Sequence, residues 1–351
     1  MTETKRRFAF LDTLRFLAAS LVVFQHLFEH RPGFAGAMLV PLGPGVAGVA
    51  IFFFISGYVI PLSVGSRLDA RAFLIRRLFR VYPLFLAAII LILLMAATGL
   101  LPTWSGMLSA TPFAWAANLL LIQDYVGVPA FLGVSWTLAI ELIWYGLFAL
   151  ALSLSGKRAG DILDVLVPAG LVGLALASLL FQTRLPIGRP TMIYAAVIGY
   201  QLFRFHRGDI DSARLARSVA VFVLVAWAAN FVSFGIFRHP SITVGQALGP
   251  WTLSTAIFVV AILVRPIREA RWLNRGPLPM LGAMSYSTYL LHPIAIAAAD
   301  LYAPGAIRVP LALVATLMLS VAGYHLIEKP GVALGRRLAR NGRGMTEARL
   351  T

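Results

Sequence analysis

The chain has 351 residues, of which 59% are hydrophobic and only 13% are charged, and its mean hydropathy is +0.83. This composition excludes a water-soluble globular protein and indicates a chain that crosses a membrane many times. The net charge of +16 would suggest nucleic-acid binding in a soluble protein, but here the basic residues are dispersed between apolar runs, which disfavours it. The absence of cysteine excludes a disulfide framework, a thiolate metal site and a cysteinyl acyl-enzyme.

Apolar runs of membrane-spanning length follow one another along the sequence, and ten of them can be distinguished. A bilayer-crossing helix needs about 20 residues, so we predict an all-α, polytopic membrane protein with about ten transmembrane helices. We expect residues 1–351 to form a single membrane domain with its core at about 8–330. The runs cover residues 8–28, 45–63, 82–101, 135–155, 161–182, 188–204, 217–236, 244–264, 280–300 and 307–327.

A further short segment, 112–125, contains Asn118, Gln123 and Asp124, and whether it crosses the membrane decides the topology. If it is a re-entrant or interfacial helix, 24 of the 30 Lys and Arg residues lie on the cytosolic side. If it crossed, sixteen of them would move outside, against the positive-inside rule. We therefore predict a non-crossing helix, a plasma (inner) membrane location, and cytosolic termini that include a basic tail at 331–351.

The first run, LDTLRFLAASLVVFQH, places three ionisable side chains on one helical stripe: Asp12, Arg15 and His26. At about 1.5 Å per residue, His26 stands roughly 16 Å beyond Arg15 along the helix axis. Charged groups at membrane depth are costly and usually mark a pathway or a reaction site. The simpler alternative is that Asp12 and Arg15 reach the cytosolic interface and His26 the opposite one.

The segment 67–83 precedes the third run and is predicted to be a cytosolic loop, with Arg76, Arg77 and Arg80 at helical spacing. Guanidinium groups form bidentate contacts with phosphate, so these three arginines are candidates for binding a phosphorylated ligand. The alternative is that they set the topology and contact anionic membrane lipid.

The segment GVSWTLAIELIWYG, at 133–146, places Glu141 inside an apolar run, with Thr137 and Tyr145 four residues away on either side. These are hydrogen-bond partners at the spacing of one helical face. We predict that Glu141 enters the membrane from the outer side at the depth of His26, so that the two can be in contact. A structural polar clamp between helices is the alternative.

The segment MSYSTYLLHPIA, at 284–295, places Ser285, Tyr289 and His292 on one helical face, just before Pro293. A histidine next to a proline commonly hydrogen-bonds the backbone, which is the structural alternative to a catalytic role. The residues Glu328 to Pro330 read as the interfacial end of the last helix. In the second run, Gly48 and Gly57 indicate helix packing through small residues.

Taken together and in this order, LDTLRFLAASLVVFQH, FFFISGYVI, FLIRRLFRVYP, SWTLAIELIWY and SYSTYLLHP resemble the acyltransferase 3 family of integral-membrane O-acyltransferases. The resemblance runs from about residue 8 to 330. The family's arginine and histidine, with ten residues between them, fall on Arg15 and His26, and its Arg-x-x-Arg element falls on Arg77 and Arg80. Its tryptophan-to-glutamate element falls on Trp136 and Glu141.

The resemblance implies transfer of an acyl group, commonly acetyl, from an acyl-CoA such as acetyl-CoA to a hydroxyl of a sugar or cell-surface polysaccharide. Such a reaction needs a base, a group that orients the base, and cations for the donor phosphates. His26, Glu141 and the cluster of Arg76, Arg77 and Arg80 are the respective candidates. No metal is expected, because the six histidines form no HxxxH-type pair.

A proton-coupled transporter is the alternative of a different class, because such proteins use buried Asp, Arg, His and Glu as a proton relay. No inverted repeat is evident in the sequence, and the arginine cluster has no function in a carrier of small molecules. The expected partners are therefore acyl-CoA, a carbohydrate or other hydroxyl acceptor, and membrane lipid, without nucleic acid. The sequence leaves the oligomeric state open.

Overall fold

The computed structural model describes residues 9–29, 33, 36, 39, 42–64, 68–237 and 242–347, with side chains up to residue 340. Every regular element in this part of the chain is a helix, which confirms the all-α class. The charges at residues 1–8, 65–67, 238–241 and 348–351, which the topology prediction used, lie outside the described residues.

Of the first eight α-helices, seven are long and one is short. They are α1 (Ala9–Phe28), α2 (Pro44–Val59), α3 (Ala70–Ala97), α4 (Pro112–Leu119), α5 (Trp136–Ser155), α6 (Ala159–Leu180), α7 (Gly188–His206) and α8 (Ser212–Phe231).

The second half of the chain contains three short helices between longer ones. The elements are α9 (Val244–Leu263), α10 (Arg265–Arg268), α11 (Arg271–Asn274), α12 (Pro277–Ala283), α13 (Ser285–Tyr302), α14 (Arg308–Gly323) and α15 (Lys329–Glu347). Two π-helical turns extend α8 and α14, at Val232–Ile236 and Tyr324–Glu328 respectively.

Within the described residues, seven helical segments are long and apolar enough to cross a membrane, so the chain has the character of a multi-pass membrane protein, while the predicted count of ten is not confirmed. One of the seven, Gly133–Leu180, is a 48-residue segment that contains both α5 and α6. Helices α7 and α13 are not among the seven, and both carry many polar side chains. The segments are Ala9–Phe28, Pro44–Ser63, Ala70–Ala97, Gly133–Leu180, Ser212–Ile236, Val244–Leu263 and Gly305–Arg340.

Two parts of the sequence that we predicted to be a loop and a tail are helical. The predicted loop at 67–83 contains the first turns of α3, because the Asp69 side chain caps the helix by accepting from Ala72 N at 2.9 Å. Pro83 lies inside this helix. The predicted tail at 331–351 is occupied by α15 as far as Glu347.

Helix α4 has only eight residues, or about 12 Å of helix, which is too short to cross a hydrocarbon core of about 30 Å. The prediction that the segment 112–125 does not cross is consistent with this length. Its polar side chains hold the chain in place, since Asn118 Nδ2 donates to Pro129 O and Asn118 Oδ1 accepts from Phe131 N. Gln123 is fully buried and donates to Ser135 Oγ at 3.1 Å.

The fold divides into two compact units. Unit 1 comprises the chain up to Leu68 together with Leu147–Ala283, and unit 2 comprises Asp69–Gly146 together with the chain from Met284 onward.

In unit 1, helix α2 packs closely against α1 and α7 through glycines. A Cβ atom at Gly57 would overlap the Ala196 carbonyl, one at Gly199 would overlap the Phe54 carbonyl, and one at Gly48 would overlap the Ala18 carbonyl. The predicted packing of the second helix through small residues is thereby confirmed. These close approaches keep α1, α2 and α7 in a fixed register.

In unit 2, helices α3, α13, α14 and α15 pack together. The glycines of α15 face α3, because a Cβ at Gly331 would lie 2.8 Å from Pro83 Cγ and one at Gly335 would lie 2.5 Å from Phe79 Cβ. The Tyr286 hydroxyl on α13 donates to Val81 O on α3 at 2.7 Å. This packing brings the arginines of α3 close to the C-terminal end of α14.

Candidate functional site

The charged stripe predicted on the first helix is present on α1, in unit 1. Arg15 Nη1 donates to Asp12 Oδ1 at 2.6 Å, one turn apart along the helix. The two side chains keep 25% and 34% of their surface exposed, so the pair is only partly buried. The reason is its place in the first two turns of α1, where the helix end leaves the side chains accessible.

The hydrogen bond of His26 restricts which ring nitrogen can act as a base. His26 Nδ1 lies 3.0 Å from Val22 O, the carbonyl one turn earlier in α1. A carbonyl can only accept, so Nδ1 carries the hydrogen and, in the neutral ring, Nε2 carries the lone pair. The half-buried imidazole is therefore held in the tautomer whose Nε2 can remove a proton.

Glu141, in unit 2, is bound by a neighbour on its own helix. The Tyr145 hydroxyl donates to Glu141 Oε1, as the four-residue spacing predicted. The Arg77 guanidinium lies over the Tyr145 ring at 5.4 Å and over the Phe73 ring at 5.3 Å. A carboxylate, a phenol and a guanidinium thus form a continuous polar group between α3 and α5. His26 lies in unit 1, and its predicted contact with Glu141 stays a prediction.

Thr137 lies on α5, as Glu141 does, but its side chain contacts a residue of another helix, α13. Thr137 Oγ1 and Tyr289 Oη are 2.8 Å apart, and each lies within hydrogen-bond distance of Val134 O, so one hydroxyl can donate to that carbonyl and accept from the other. Trp136 is half-buried at the first position of α5. The side chains of Thr137 and Tyr289 therefore tie the start of α5 to α13.

On α13, His292 is fully buried and its Nδ1 lies 3.2 Å from Thr288 O. This is the backbone contact that the structural alternative predicted for a histidine next to a proline. The rings of Tyr289 and His292 are 6.1 Å apart between centroids, and Ser285 is buried at the first position of the helix. The three residues predicted to share a face are therefore all buried in unit 2.

The arginine cluster has an acidic partner that sequence reasoning missed. Arg80 Nη1 pairs with Glu328 Oε1, and the second carboxylate oxygen accepts from Ser287 Oγ at 2.6 Å. Arg80 also lies over the Tyr286 ring at 5.5 Å. The Glu328 side chain is completely buried, whereas Arg80 retains 33% exposure. We predicted Glu328 to be an interfacial helix end; it is instead the counter-charge of Arg80.

The π-helical turn at Tyr324–Glu328 aims Glu328 toward Arg80, and π turns are frequent at functional sites. The sequence gives one indication of this contact, since a lone glutamate at the end of an apolar run requires a partner. It could not identify that partner, because Arg80 and Glu328 are 248 residues apart. Arg76 is half-buried and lies four residues before Arg80, on the same face of α3.

Metal coordination has no candidate in the described part of the chain, because no three His, Asp or Glu side chains lie close enough together to hold an ion. The site residues described above can support the transfer of protons and the binding of anions. His26 provides a lone pair, and the arginines of α3 provide positive charge.

Comparisons with known proteins agree with the motifs. The family model described as an acyltransferase domain matches residues 8–325. The chain is 27% identical over 352 residues to the O-acetyltransferase OatA of Staphylococcus aureus (strain NCTC 8325 / PS 47), which covers 91% of this chain and 56% of that protein. No solved structure matches.

Two further curated proteins are similar to this chain. YrhL of Bacillus subtilis (strain 168), provisionally named a peptidoglycan O-acetyltransferase, is 26% identical over 370 residues, covering 94% of this chain and 55% of YrhL. Nodulation protein 10 of Rhizobium leguminosarum bv. viciae is 28% identical over 179 residues, covering 45% of this chain and 48% of that protein. The chain spans about half the length of these curated relatives. Because the family match extends over residues 8–325, the chain belongs to the acyltransferase 3 family.

Proposed function

We propose that this protein is a membrane O-acyltransferase that moves an acyl group, by expectation acetyl, from acyl-CoA to a hydroxyl of a carbohydrate acceptor. The observation that carries the proposal is the His26 imidazole, in a chain of this family. Its Nδ1 donates to Val22 O at 3.0 Å, which leaves Nε2 with the lone pair that a general base needs.

In the proposed reaction, His26 Nε2 takes the proton of the acceptor hydroxyl while the hydroxyl oxygen attacks the thioester carbonyl. The new C–O ester bond forms, the C–S bond breaks, and the departing thiolate takes the proton from the imidazolium. The ring is oriented by its own Nδ1 bond to Val22 O, the bond that a carboxylate accepts in a catalytic triad, and the charge of Glu141 is proposed to stabilise the imidazolium. The Tyr145 hydroxyl bond to Glu141 supports this role, because it fixes the carboxylate.

For the donor, we propose that Arg76, Arg77 and Arg80 contact phosphate groups of acyl-CoA. Their position at helical spacing on α3 supports this role. Arg77 and Arg80 also have contacts within the protein, to Tyr145 and Glu328. Their substitution is therefore expected to affect stability as well as donor binding.

For the acceptor, the printed names of the relatives favour a carbohydrate of the cell envelope, because YrhL is provisionally named a peptidoglycan O-acetyltransferase. We further propose a plasma (inner) membrane location with both termini in the cytosol. The distribution of 24 of the 30 Lys and Arg residues supports this orientation through the positive-inside rule. The donor would then be bound from the cytosolic side and the acceptor from the outer side.

The test is acyl transfer by purified full-length protein in detergent, with acetyl-CoA and a soluble peptidoglycan fragment or other glycan. Release of free coenzyme A thiol and acetylation of the glycan are both measured. General-base catalysis contributes about 10²- to 10⁴-fold, so His26→Ala should lose at least that factor in turnover. Glu141→Gln should lose less, because the imidazole remains in place.

The matched control is His325→Ala, because His325 is an exposed histidine outside the proposed site. It should leave turnover unchanged. Near-wild-type turnover by folded His26→Ala protein would overturn the assignment of the base. Failure of the wild-type protein to release thiol with any glycan tested would overturn the proposed function itself.

A further inference from the structure

Unit 1 contains a cavity of about 1000 Å³ that none of the residues proposed above lines. It lies where the ends of α2 and α7 meet the connection between α9 and α12. Its walls include Tyr58 and Phe203 and four arginines: Arg207, Arg268, Arg271 and Arg275. Ligand pockets typically enclose about 300–1,000 Å³, so this cavity is large enough for a nucleotide.

The charge of the lining is strongly unbalanced. The four arginines face a single lining carboxylate, that of Glu269. Glu269 Oε1 already accepts from Arg265 Nε at 2.9 Å, and Arg265 is not part of the lining. Arg207 Nε pairs with Asp209 Oδ2, outside the lining, at 3.5 Å. The positive charge that remains comes from Arg268, Arg271 and Arg275, and such a site attracts anions.

Arg268 is held in place by two hydrogen bonds from the same nitrogen. Its Nη1 donates to Ile262 O at 2.9 Å and to His206 Nε2 at 3.1 Å. Since arginine can only donate, His206 Nε2 accepts, and Nδ1 carries the hydrogen toward the Tyr58 hydroxyl at 2.6 Å. Arg268 makes no other hydrogen bond within the described residues, so its Nε and Nη2 hydrogens can bind a ligand.

The remaining wall combines two aromatic rings with the amide of Asn274. The rings of Tyr58 and Phe203 are perpendicular, with centroids 6.0 Å apart, and Arg207 lies over the Phe203 ring at 5.7 Å. Asn274 donates both amide hydrogens to backbone carbonyls, of Arg268 and Ala270, so it can offer a ligand its acceptor oxygen. Both rings are more than nine-tenths buried, so they form an apolar floor to the cavity, and the Asn274 amide oxygen can accept from the exocyclic amino group of a base.

We propose that this cavity binds the nucleoside phosphate end of the acyl donor, with Arg268 as the fixed phosphate ligand and Arg271 and Arg275 as exposed ones. The inference rests on the proposed use of acyl-CoA. Coenzyme A carries a ribose phosphate as well as a pyrophosphate. Guanidinium forks match the geometry of phosphate oxygens, and the Asn274 amide oxygen can accept a hydrogen bond from the base.

The test measures binding of adenosine 3′,5′-bisphosphate to purified full-length protein by calorimetry. Charge-assisted hydrogen bonds are strong enough that Arg268→Gln should weaken binding by about tenfold or more. Because Arg268 also binds backbone, the double variant Arg271→Gln/Arg275→Gln is tested as well; both residues are exposed, and their loss should weaken binding severalfold without a change in the melting temperature.

The control is Arg158→Gln/Arg217→Gln, which removes the same charge from exposed positions outside the cavity. It should leave the binding constant within a factor of about two, because exposed charges are screened by salt. Equal weakening by the control and by the cavity variants would overturn the inference, since a general charge effect would then explain it.

Two further probes separate the nucleoside from other sources of phosphate. Inorganic pyrophosphate should compete much less well than the bisphosphate, because it lacks the base. Vesicles containing phosphatidylglycerol should bind the wild-type protein and the cavity variants equally. Equal competition by pyrophosphate would overturn the assignment in favour of an inorganic phosphate site. A loss of vesicle binding in the cavity variants alone would overturn it in favour of a lipid headgroup site.

The outcome for the cavity can be distinguished from the outcome for the proposed function. Bisphosphate binding that is unchanged in both cavity variants, together with acyl transfer by the wild-type protein, would overturn only the cavity assignment. Absence of bisphosphate binding and of thiol release in the wild-type protein would overturn both. The expected result is a raised KM for acetyl-CoA in both cavity variants, with kcat close to that of the wild-type protein.

Discussion

The two units each contain a cluster of arginines, and the clusters differ in what neutralises them. In unit 2, Arg80 pairs with the buried carboxylate of Glu328, and Arg77 lies over the rings of Phe73 and Tyr145. In unit 1, the one lining carboxylate bonds to Arg265, and Arg207 pairs with Asp209 at 3.5 Å. Among the described residues, Arg268, Arg271 and Arg275 have no acidic partner. The comparison teaches that a group of arginines indicates a ligand site most clearly where the protein supplies no counter-charge of its own.

The largest expected effect concerns the counter-charge in unit 2. Glu328→Ala leaves Arg80 without its partner and removes the acceptor of Ser287 Oγ. Breaking a buried ion pair costs about 3–5 kcal/mol, but Arg80 is one-third exposed, so solvent reduces this loss. We expect a loss of about 2–3 kcal/mol, measured as reversible unfolding in mixed detergent micelles.

The control for Glu328 is Glu269→Ala, which breaks an exposed pair with Arg265 and should cost no more than about 0.5 kcal/mol. In addition, the double variant Arg80→Met/Glu328→Met should recover much of the stability, because apolar replacement of both members removes the unpaired charge. A Glu328→Ala protein as stable as the Glu269→Ala protein would show that the two clusters do not differ in this way.

The next effect concerns donor binding by the unit 2 cluster. Arg77→Lys/Arg80→Lys keeps the charge but loses the bidentate fork, so we expect KM for acyl-CoA to rise about tenfold while the protein remains folded. The control is Arg336→Lys/Arg337→Lys, at two exposed positions of α15. An unchanged KM with alanine at both Arg77 and Arg80 would place the donor phosphates elsewhere and leave the cluster a structural role.

The smallest expected effect concerns the local pair of α1. Asp12 and Arg15 are three residues apart and partly exposed, so Asp12→Ala should cost about 1 kcal/mol or less. Unfolding of Asp12→Ala and Arg15→Ala proteins under the conditions used for Glu328→Ala would compare the two pairs directly. A loss equal to that of Glu328→Ala would contradict the expected order.

Contacts within one helix were predictable from the sequence, because helical geometry fixes which residues are neighbours. The Asp12–Arg15 and Glu141–Tyr145 contacts followed from spacings of three and four residues. The apolar runs predicted that these segments are helices, and the glycines of α2 correctly indicated close packing. By contrast, the start of α3 was misread because its first turns are rich in arginine and therefore resemble a loop.

Contacts between distant parts of the chain were not predictable from spacing. Glu328 and Arg80 meet only because α14 packs beside α3, and no periodicity relates residues 248 positions apart. The cavity arginines entered the sequence reasoning only as charges that set the topology. The ring nitrogen of His26 that carries the hydrogen depends on Val22 O, which requires the structure.

The π-helical turn at Tyr324–Glu328 has a consequence for how relatives should be aligned. A π turn commonly arises from one additional residue within an α-helix. Deleting one residue from it would restore regular α-helix and rotate every later side chain by about 100°. The glycines of α15 would then no longer face α3, so a gap of one residue at this turn would identify relatives in which α15 meets α3 through a different set of residues.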